Sequence, residues 1–336
     1  MLNNLEMTTQ TSPGSIAAIV TAALAGMAML NTRFAHKAEQ GHPPKGRIVD
    51  VDGLEVHALV AGRGDPIVLL HGNGSAAGDF VGCGLFDELA RHYQVFSFDR
   101  PGYGYSERPR DRLWTARAQA EHLASAFQKF GIERPIVVGH SWGTLVALEL
   151  ALLQHRPVKR LVLMSGYYFP TPRADAIAMS PPAIPVLGDV MRYTVSPLVS
   201  RAVLPAMLKT MFSPHPVDAR FERAVPKSMM VRPWQLKASA EDSAFMLPSA
   251  AALRDRYQDV DVPVTIVSGD SDRIVSPKHQ SMQLRTRLRK ATLEIVEGAG
   301  HMVHYAQPAL VAALITGPRA TTVTRAQTTT SQTQTH

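Results

Sequence analysis

Ser141 lies in Gly139-His140-Ser141-Trp142-Gly143, between the apolar run Ile136-Val137-Val138 and a helical stretch Trp142–Leu153. A serine hydroxyl is a weak nucleophile at neutral pH and needs a base, which in turn needs an orienting group. The G-x-S-x-G spacing suits a sharp strand-to-helix turn. Its glycines let the backbone approach its neighbours, and the hydroxyl is presented at a helix N-terminus, where the dipole favours negative charge. The competing reading is a glycine-rich helix cap with an ordinary serine, so the rest of the chain must decide.

A base and an acid follow in the right kind of place. The run Leu293–Val296 leads into Gly298-Ala299-Gly300-His301, so His301 sits on a glycine-rich loop after a strand. His304 competes with it but falls on or near the next helical turn. Most of the 13 histidines should be surface or core residues, and the glycine-flanked position sets His301 apart. Val264–Ser268 leads into Gly269-Asp270-Ser271-Asp272-Arg273-Ile274-Val275. Asp272, just before the apolar pair, is the better orienting acid, and Asp270 suits a turn brace. An acyl-transfer site must also hold an oxyanion. The backbone N–H groups of Asn73, in His71-Gly72-Asn73-Gly74-Ser75, and of Trp142 are the candidate donors, with the Asn73 side chain as a third. The order Ser141, Asp272, His301 differs from both common serine-protease orders.

Elements able to hold these loops alternate along the chain. Arg47–Val51 and Leu54–Ala61 flank Asp52-Gly53, a hairpin turn. Short apolar, β-branched runs follow at Ile67–Leu70, Val95–Phe98, Ile136–Val138, Leu161–Met164, Val264–Val267 and Leu293–Val296. Helical stretches separate them at Leu85–His92, Trp114–Phe130, Trp142–Leu153, Pro277–Leu288 and Pro308–Ile315. This implies an α/β fold: a mostly parallel sheet with right-handed crossovers and its chemistry beyond the carboxyl ends of the strands. The alternation fails between Tyr167 and Asp255, where several prolines interrupt short apolar helical pieces. An insertion there, about 167–250, would cover the site as a lid.

The two ends differ from this unit. Residues 1–46 contain the apolar run Ile16–Leu30, followed by Arg33, His36 and Lys37. Fifteen residues reach roughly 22 Å against a hydrocarbon core of ~30 Å. The run reads as a membrane-associated anchor rather than a cleaved signal peptide, whose basic n-region is missing, with a buried or frayed N-terminal helix as the competing reading. Positive charge after the run would keep the following unit cytoplasmic. Residues 319–336 form a Thr/Gln tail with little to bury, expected to be disordered. Cys83 is the one cysteine among 336 residues, which excludes an intramolecular disulfide framework and Cys-rich metal sites. The net charge of +7 raises nucleic acid as a partner. Its densest cluster, Lys278, Arg285, Arg287, Arg289 and Lys290, is expected on one solvated helix face, and no nucleic-acid module is recognisable.

Together His71-Gly72-Asn73-Gly74, Asp99-Arg100-Pro101-Gly102-Tyr103-Gly104, Gly139–Gly143, Gly269–Asp272 and Gly300-His301 resemble the α/β-hydrolase fold superfamily over Arg47 to Thr316. The resemblance implies an eight-stranded, mostly parallel sheet with helices on both faces and an inserted helical lid, within a domain at 47–318. Asp99–Gly102 is then a structural turn without chemistry. It implies a serine hydrolase that cleaves an ester or related acyl bond through an acyl-enzyme, with no metal or organic cofactor. The lid's Met179, Met191, Met207, Met211, Met229 and Met230, with Tyr167, Tyr168, Phe169 and Phe212, favour an apolar acyl or alcohol group, the competing reading being simple packing. Asn73 with Trp142 is similar to the halide-binding pair of haloalkane dehalogenases, but those enzymes need a carboxylate where this chain has Ser141. Carbon–carbon bond hydrolases of ring-cleavage products share the triad and lid and stay open. The elbow is also similar to that of proline iminopeptidases, though their His-Gly-Gly-Pro-Gly loop is missing. A binding protein that kept the fold and lost catalysis is the rival from another class.

Overall fold

The computed structural model describes residues 12–153 and 158–317, so the expected disordered tail lies outside the described residues. Eight strands form one sheet: β1 Arg47–Val51, β2 Leu54–Ala61, β3 Pro66–Leu70, β4 Gln94–Phe98, β5 Ile136–His140, β6 Arg160–Met164, β7 Val264–Gly269 and β8 Ala291–Val296. Their spatial order is β1-β2-β4-β3-β5-β6-β7-β8. The β1–β2 and β2–β4 pairs are antiparallel and the remaining pairs parallel. Asp52 and Gly53, both with positive φ, make the tight β1–β2 turn.

Alternate side chains of the central strands feed two cores, as the two-residue period of a strand requires. Val68, Leu70, Val137, Leu161, Leu163 and Ile266 pack with the helices Ala116–Phe130 and Gly143–Ala151. Ile67, Leu69, Val138, Val162, Met164 and Val267 face Leu85–Ala90 and Pro308–Thr316. The helix expected from Pro277 begins only at Ser281. Ahead of it, the Gln280 side chain accepts from the backbone N–H groups of Tyr168 and Phe169, at 2.6 and 2.7 Å. The expected basic helix face is corrected accordingly: only Arg285 and Arg287 lie on this helix, and Lys290 pairs with Asp261 beyond its end.

Between β6 and β7 the chain makes a mainly helical insertion whose longest members are Val195–Phe212 and Pro233–Arg254. The N-terminal helix is longer than the apolar run that announces it, spanning Pro13–Gly41. At 1.5 Å per residue its 29 residues extend about 43 Å. Its later turns dock on the insertion, with Asn31, Ala35 and Ala38 buried. The Asn31 amide donates to the carbonyls of Tyr193 and Thr194 (2.9 and 3.0 Å), and Arg232 pairs with Glu39 at 2.7 Å.

The turn after β4 is tied to β2 by a buried ion pair, His57 Nδ1 to Asp99 Oδ2, at 2.6 Å. The other ring nitrogen meets the Lys45 carbonyl, so both nitrogens face acceptors. Asp99 also accepts from the N–H groups of Ala77 (2.7 Å) and Tyr105 (3.0 Å). Burial works against the His57 cation, but the Asp99 hydrogen bond and charge outweigh it and raise its pKa above 6.5. Burial likewise opposes the Asp99 anion, and His57 outweighs it and lowers that pKa below 3.8. The raised group stabilises the fold fully below its unfolded value and loses this as pH rises through the folded value. The depressed group does so above its unfolded value and loses this as pH falls. Thermal midpoints should therefore be highest between roughly pH 4 and 6.5 and decline on the alkaline side. His57→Gln should flatten that alkaline decline in a calorimetric pH series.

Candidate active site

Ser141 follows β5 with φ +50° and precedes the helix Gly143–Ala151. A non-glycine residue in this region is strained by about 1 kcal/mol or more and persists only where its surroundings impose it. They do so here through close approach. A Cβ on Gly139 would stand 2.6 Å from the Gly143 carbonyl oxygen, and one on Gly143 would stand 2.3 Å from that of Leu70. Ser141 N–H donates to the Met164 carbonyl at 2.9 Å, and its own carbonyl accepts from Thr144 N–H and Oγ1 at 3.0 and 2.6 Å.

The loops after β7 and β8 bring Asp272 and His301 together, with Oδ2 and Nδ1 2.9 Å apart and both side chains buried. The other carboxylate oxygen accepts from the N–H groups of Ile274 and Val275, at 2.8 and 2.9 Å, which fixes its orientation. Asp270 points elsewhere and accepts from Gly298 N–H at 2.9 Å, bracing the two loops. His301 is bonded to the elbow through the residue before the serine, since His140 Nε2 is 3.1 Å from the His301 carbonyl oxygen. His304 is fully buried and turned away toward Asp79.

The loop after β3 lies against the serine, where a Cβ on Gly72 would stand 3.1 Å from Ser141 Cβ. Among the described residues, the backbone N–H groups of Asn73 and Trp142 have no protein acceptor. The Asn73 side chain does not supply the third donor expected of it. Its amide donates instead to Ser239 O (3.1 Å) and Ser243 Oγ (3.0 Å) on the insertion, and its carbonyl oxygen lies 2.8 Å from Tyr103 OH, whose single proton is shared with Asp242. Trp142 Nε1 is buried with no partner among the described residues.

The support of this loop was not foreseen. Arg100 is fully buried and donates to the His71 and Gly72 carbonyls, at 2.8 and 3.1 Å, and to Asp242 at 2.8 Å. Asp242, on the long insertion helix, also accepts from Arg108 (2.9 Å), Tyr103 (2.8 Å) and Gln119 (3.0 Å). Burial alone would raise the Asp242 pKa, but Arg100 and Arg108 hold it below the usual carboxylate value. Burial, and then the Arg100 charge, lower the His71 pKa to about 4. The ring is therefore neutral, with Nδ1–H donating to Gly72 O (2.7 Å) and Nε2 accepting from Arg100 N–H (3.1 Å). The one donor set spaced for a metal among the described residues is Asp79, His140 and His304, with ligand atoms within 4.8 Å of one another.

A family model described as alpha/beta hydrolase fold matches residues 65–308. The chain belongs to that family. A 2-hydroxy-6-oxo-2,4-heptadienoate hydrolase of Pseudomonas putida is 28% identical over 272 residues, covering 78% of this chain and 91% of its own. A 2-hydroxymuconate semialdehyde hydrolase of a Pseudomonas species is 34% identical over 144 residues, 42% of this chain and 51% of its own. Among solved structures, a thermophilic esterase from Thermogutta terrifontis superposes with a TM-score of 0.65 at 20% identity, over 81% of this chain and 97% of that one. A bacterial membrane phospholipase A superposes at 0.59 and 22%, over 90% and 92%. The chain is an alpha/beta hydrolase-fold enzyme, as its hydrolase relatives indicate.

Within this hydrolase, removing Asp242 leaves two buried guanidinium groups without their shared anion. Asp242→Ala should lower unfolding free energy by about 3–5 kcal/mol, read as a lower denaturant midpoint.

Proposed function

We propose that this hydrolase is a membrane-tethered serine hydrolase that cleaves an apolar ester or related acyl bond. The observation carrying the reading is the buried 2.9 Å contact of His301 with Asp272, bonded through His140 to the turn that presents Ser141. In the proposed cycle His301 Nε2 takes the Ser141 proton as Oγ attacks the acyl carbon, while Asp272 holds Nδ1–H in place. The oxyanion accepts from the backbone N–H groups of Asn73 and Trp142. His301 then passes the proton to the leaving group, and water, deprotonated by the same ring, hydrolyses the acyl-enzyme.

A second reading, hydrolysis of a carbon–carbon bond in a ring-cleavage product, is favoured by the names of the two Pseudomonas relatives described above. The two readings separate on substrates. A series of p-nitrophenyl esters of increasing acyl length should be hydrolysed, with kcat/KM rising beyond acetate. Ser141→Ala should lose about 10³-fold or more. Turnover of a 2-hydroxy-6-oxo-dienoate with inert esters would favour the second reading, and cleavage of aminoacyl arylamides alone would overturn both.

The tether is supported by where apolar surface is left uncovered. Helix Pro13–Gly41 has a mean hydropathy of 1.8 over its most apolar window, none of it buried. Among the described residues, exposed large apolar side chains concentrate on this helix and at 177–203 of the insertion, including Ile177, Val186, Leu198 and Val199. The two surfaces adjoin, because Arg201 stacks over Phe34 of the helix at 5.3 Å. In this reading the insertion is a lid resting beside the bilayer, from which an apolar substrate is taken. The full chain should sediment with membranes through a high-salt wash and be released by detergent. Recovery in the supernatant before detergent would contradict the tether.

A further inference from the structure

Directly behind His301 the interior holds a second imidazole–carboxylate pair. Asp79 opens the short helix Asp79–Gly82 and is fully buried. Its Oδ1 lies 3.2 Å from His304 Nε2, and its Oδ2 accepts from Ser75 Oγ at 3.1 Å. His304 follows His301 by three residues, and its ring meets the His140 ring edge-on, with centroids 4.5 Å apart. His140 in turn contacts the His301 carbonyl through Nε2. These contacts assign Nε2–H tautomers to both His304 and His140. Each Nδ1 is then a bare lone pair, and both are buried without a partner among the described residues. An unmet buried acceptor costs about 1–3 kcal/mol, so two of them side by side call for an explanation.

We infer that Asp79, His304 and His140 are positioning residues for His301, linked as carboxylate, imidazole and imidazole down to the His301 main chain. The inference rests on the reading of His301 as the base. The pair Asp79–His304 fixes the ring that packs on His140, and His140 fixes the backbone of the loop that must hold His301 within reach of Ser141. Tight packing leaves this loop little other freedom, since a Cβ on Gly300 would overlap the Ser213 carbonyl oxygen. Burial lowers the His140 pKa well below 6.5, and cations on His304 or His301 would lower it further, so its N–H donor persists across neutral pH.

The test measures kcat and KM separately on the best ester for the wild type, Asp79→Asn and His304→Gln. In Asp79→Asn kcat should fall about tenfold at unchanged KM. Gln keeps a donor for Asp79 but not the ring that packs on His140, so its kcat should fall by a similar factor, again at unchanged KM. If Asp79→Asn is not recovered folded, His304→Gln carries the test alone. Wild-type kcat in the recovered variants would overturn the inference. So would one equivalent of tightly held zinc in the purified protein whose removal abolishes activity, which would make the cluster a metal site. If the wild type hydrolyses no substrate and takes no serine-directed label, the reading of His301 fails and the inference falls with it. Active wild type with indifferent variants sinks the inference alone.

Discussion

The structure turns on the lack of room for side chains where β3, β5 and the following helix converge. Leu70 O, Gly139 and Gly143 stand so close that any Cβ at either glycine would collide with backbone. The chain can pass only by a left-handed step at Ser141, at φ +50°. The strain at that one residue is held in place by two core layers and by the Met164 carbonyl on the adjacent strand. Everything else in the site is set relative to this step: the loop after β3 lies against Ser141 Cβ, and the His301 loop is bonded to the residue just before it.

Two buried polar networks hold those flanking loops, and they differ in kind. On one side Arg100 and Asp242 are a charged clamp. It joins the His71-Gly72 carbonyls to the insertion. Such a pair contributes little net stability over apolar packing, but breaking it is severe, so it gives geometry more than energy. On the other side Asp79, His304 and His140 form a chain of contacts beneath the His301 loop. Together they fix the main chain on both flanks of the serine.

Much of this was legible in the sequence, for reasons that can be traced to particular residues. Short runs such as Val137-Val138 and Leu161–Met164 announce strands because both faces of a parallel sheet are covered. The glycines around Ser141 announce the turn because only they fit it. Asp272 differs from Asp270 because its neighbours Ile274 and Val275 offer their N–H groups to one of its oxygens, leaving the other for His301. What the sequence hides is pairing over long separations. Arg100 and Asp242 are 142 residues apart, and Asp79 and His304 are 225 apart, with nothing local to join them. The Asn73 side chain misled for the same reason: its partners Ser239 and Ser243 belong to the insertion. The arginine in Asp99-Arg100-Pro101-Gly102 was the one available signal, because a buried arginine needs a carboxylate and several carbonyls to satisfy it.

The central claim is that Ser141 is a nucleophile made reactive by His301. Intact-mass spectrometry of the full chain treated with a fluorophosphonate measures it most directly. One adduct should form on the wild type, map to the peptide containing Ser141, and be lost in Ser141→Ala. It should form much more slowly in His301→Ala. An unmodified wild type, or an adduct that persists in Ser141→Ala, would contradict the account.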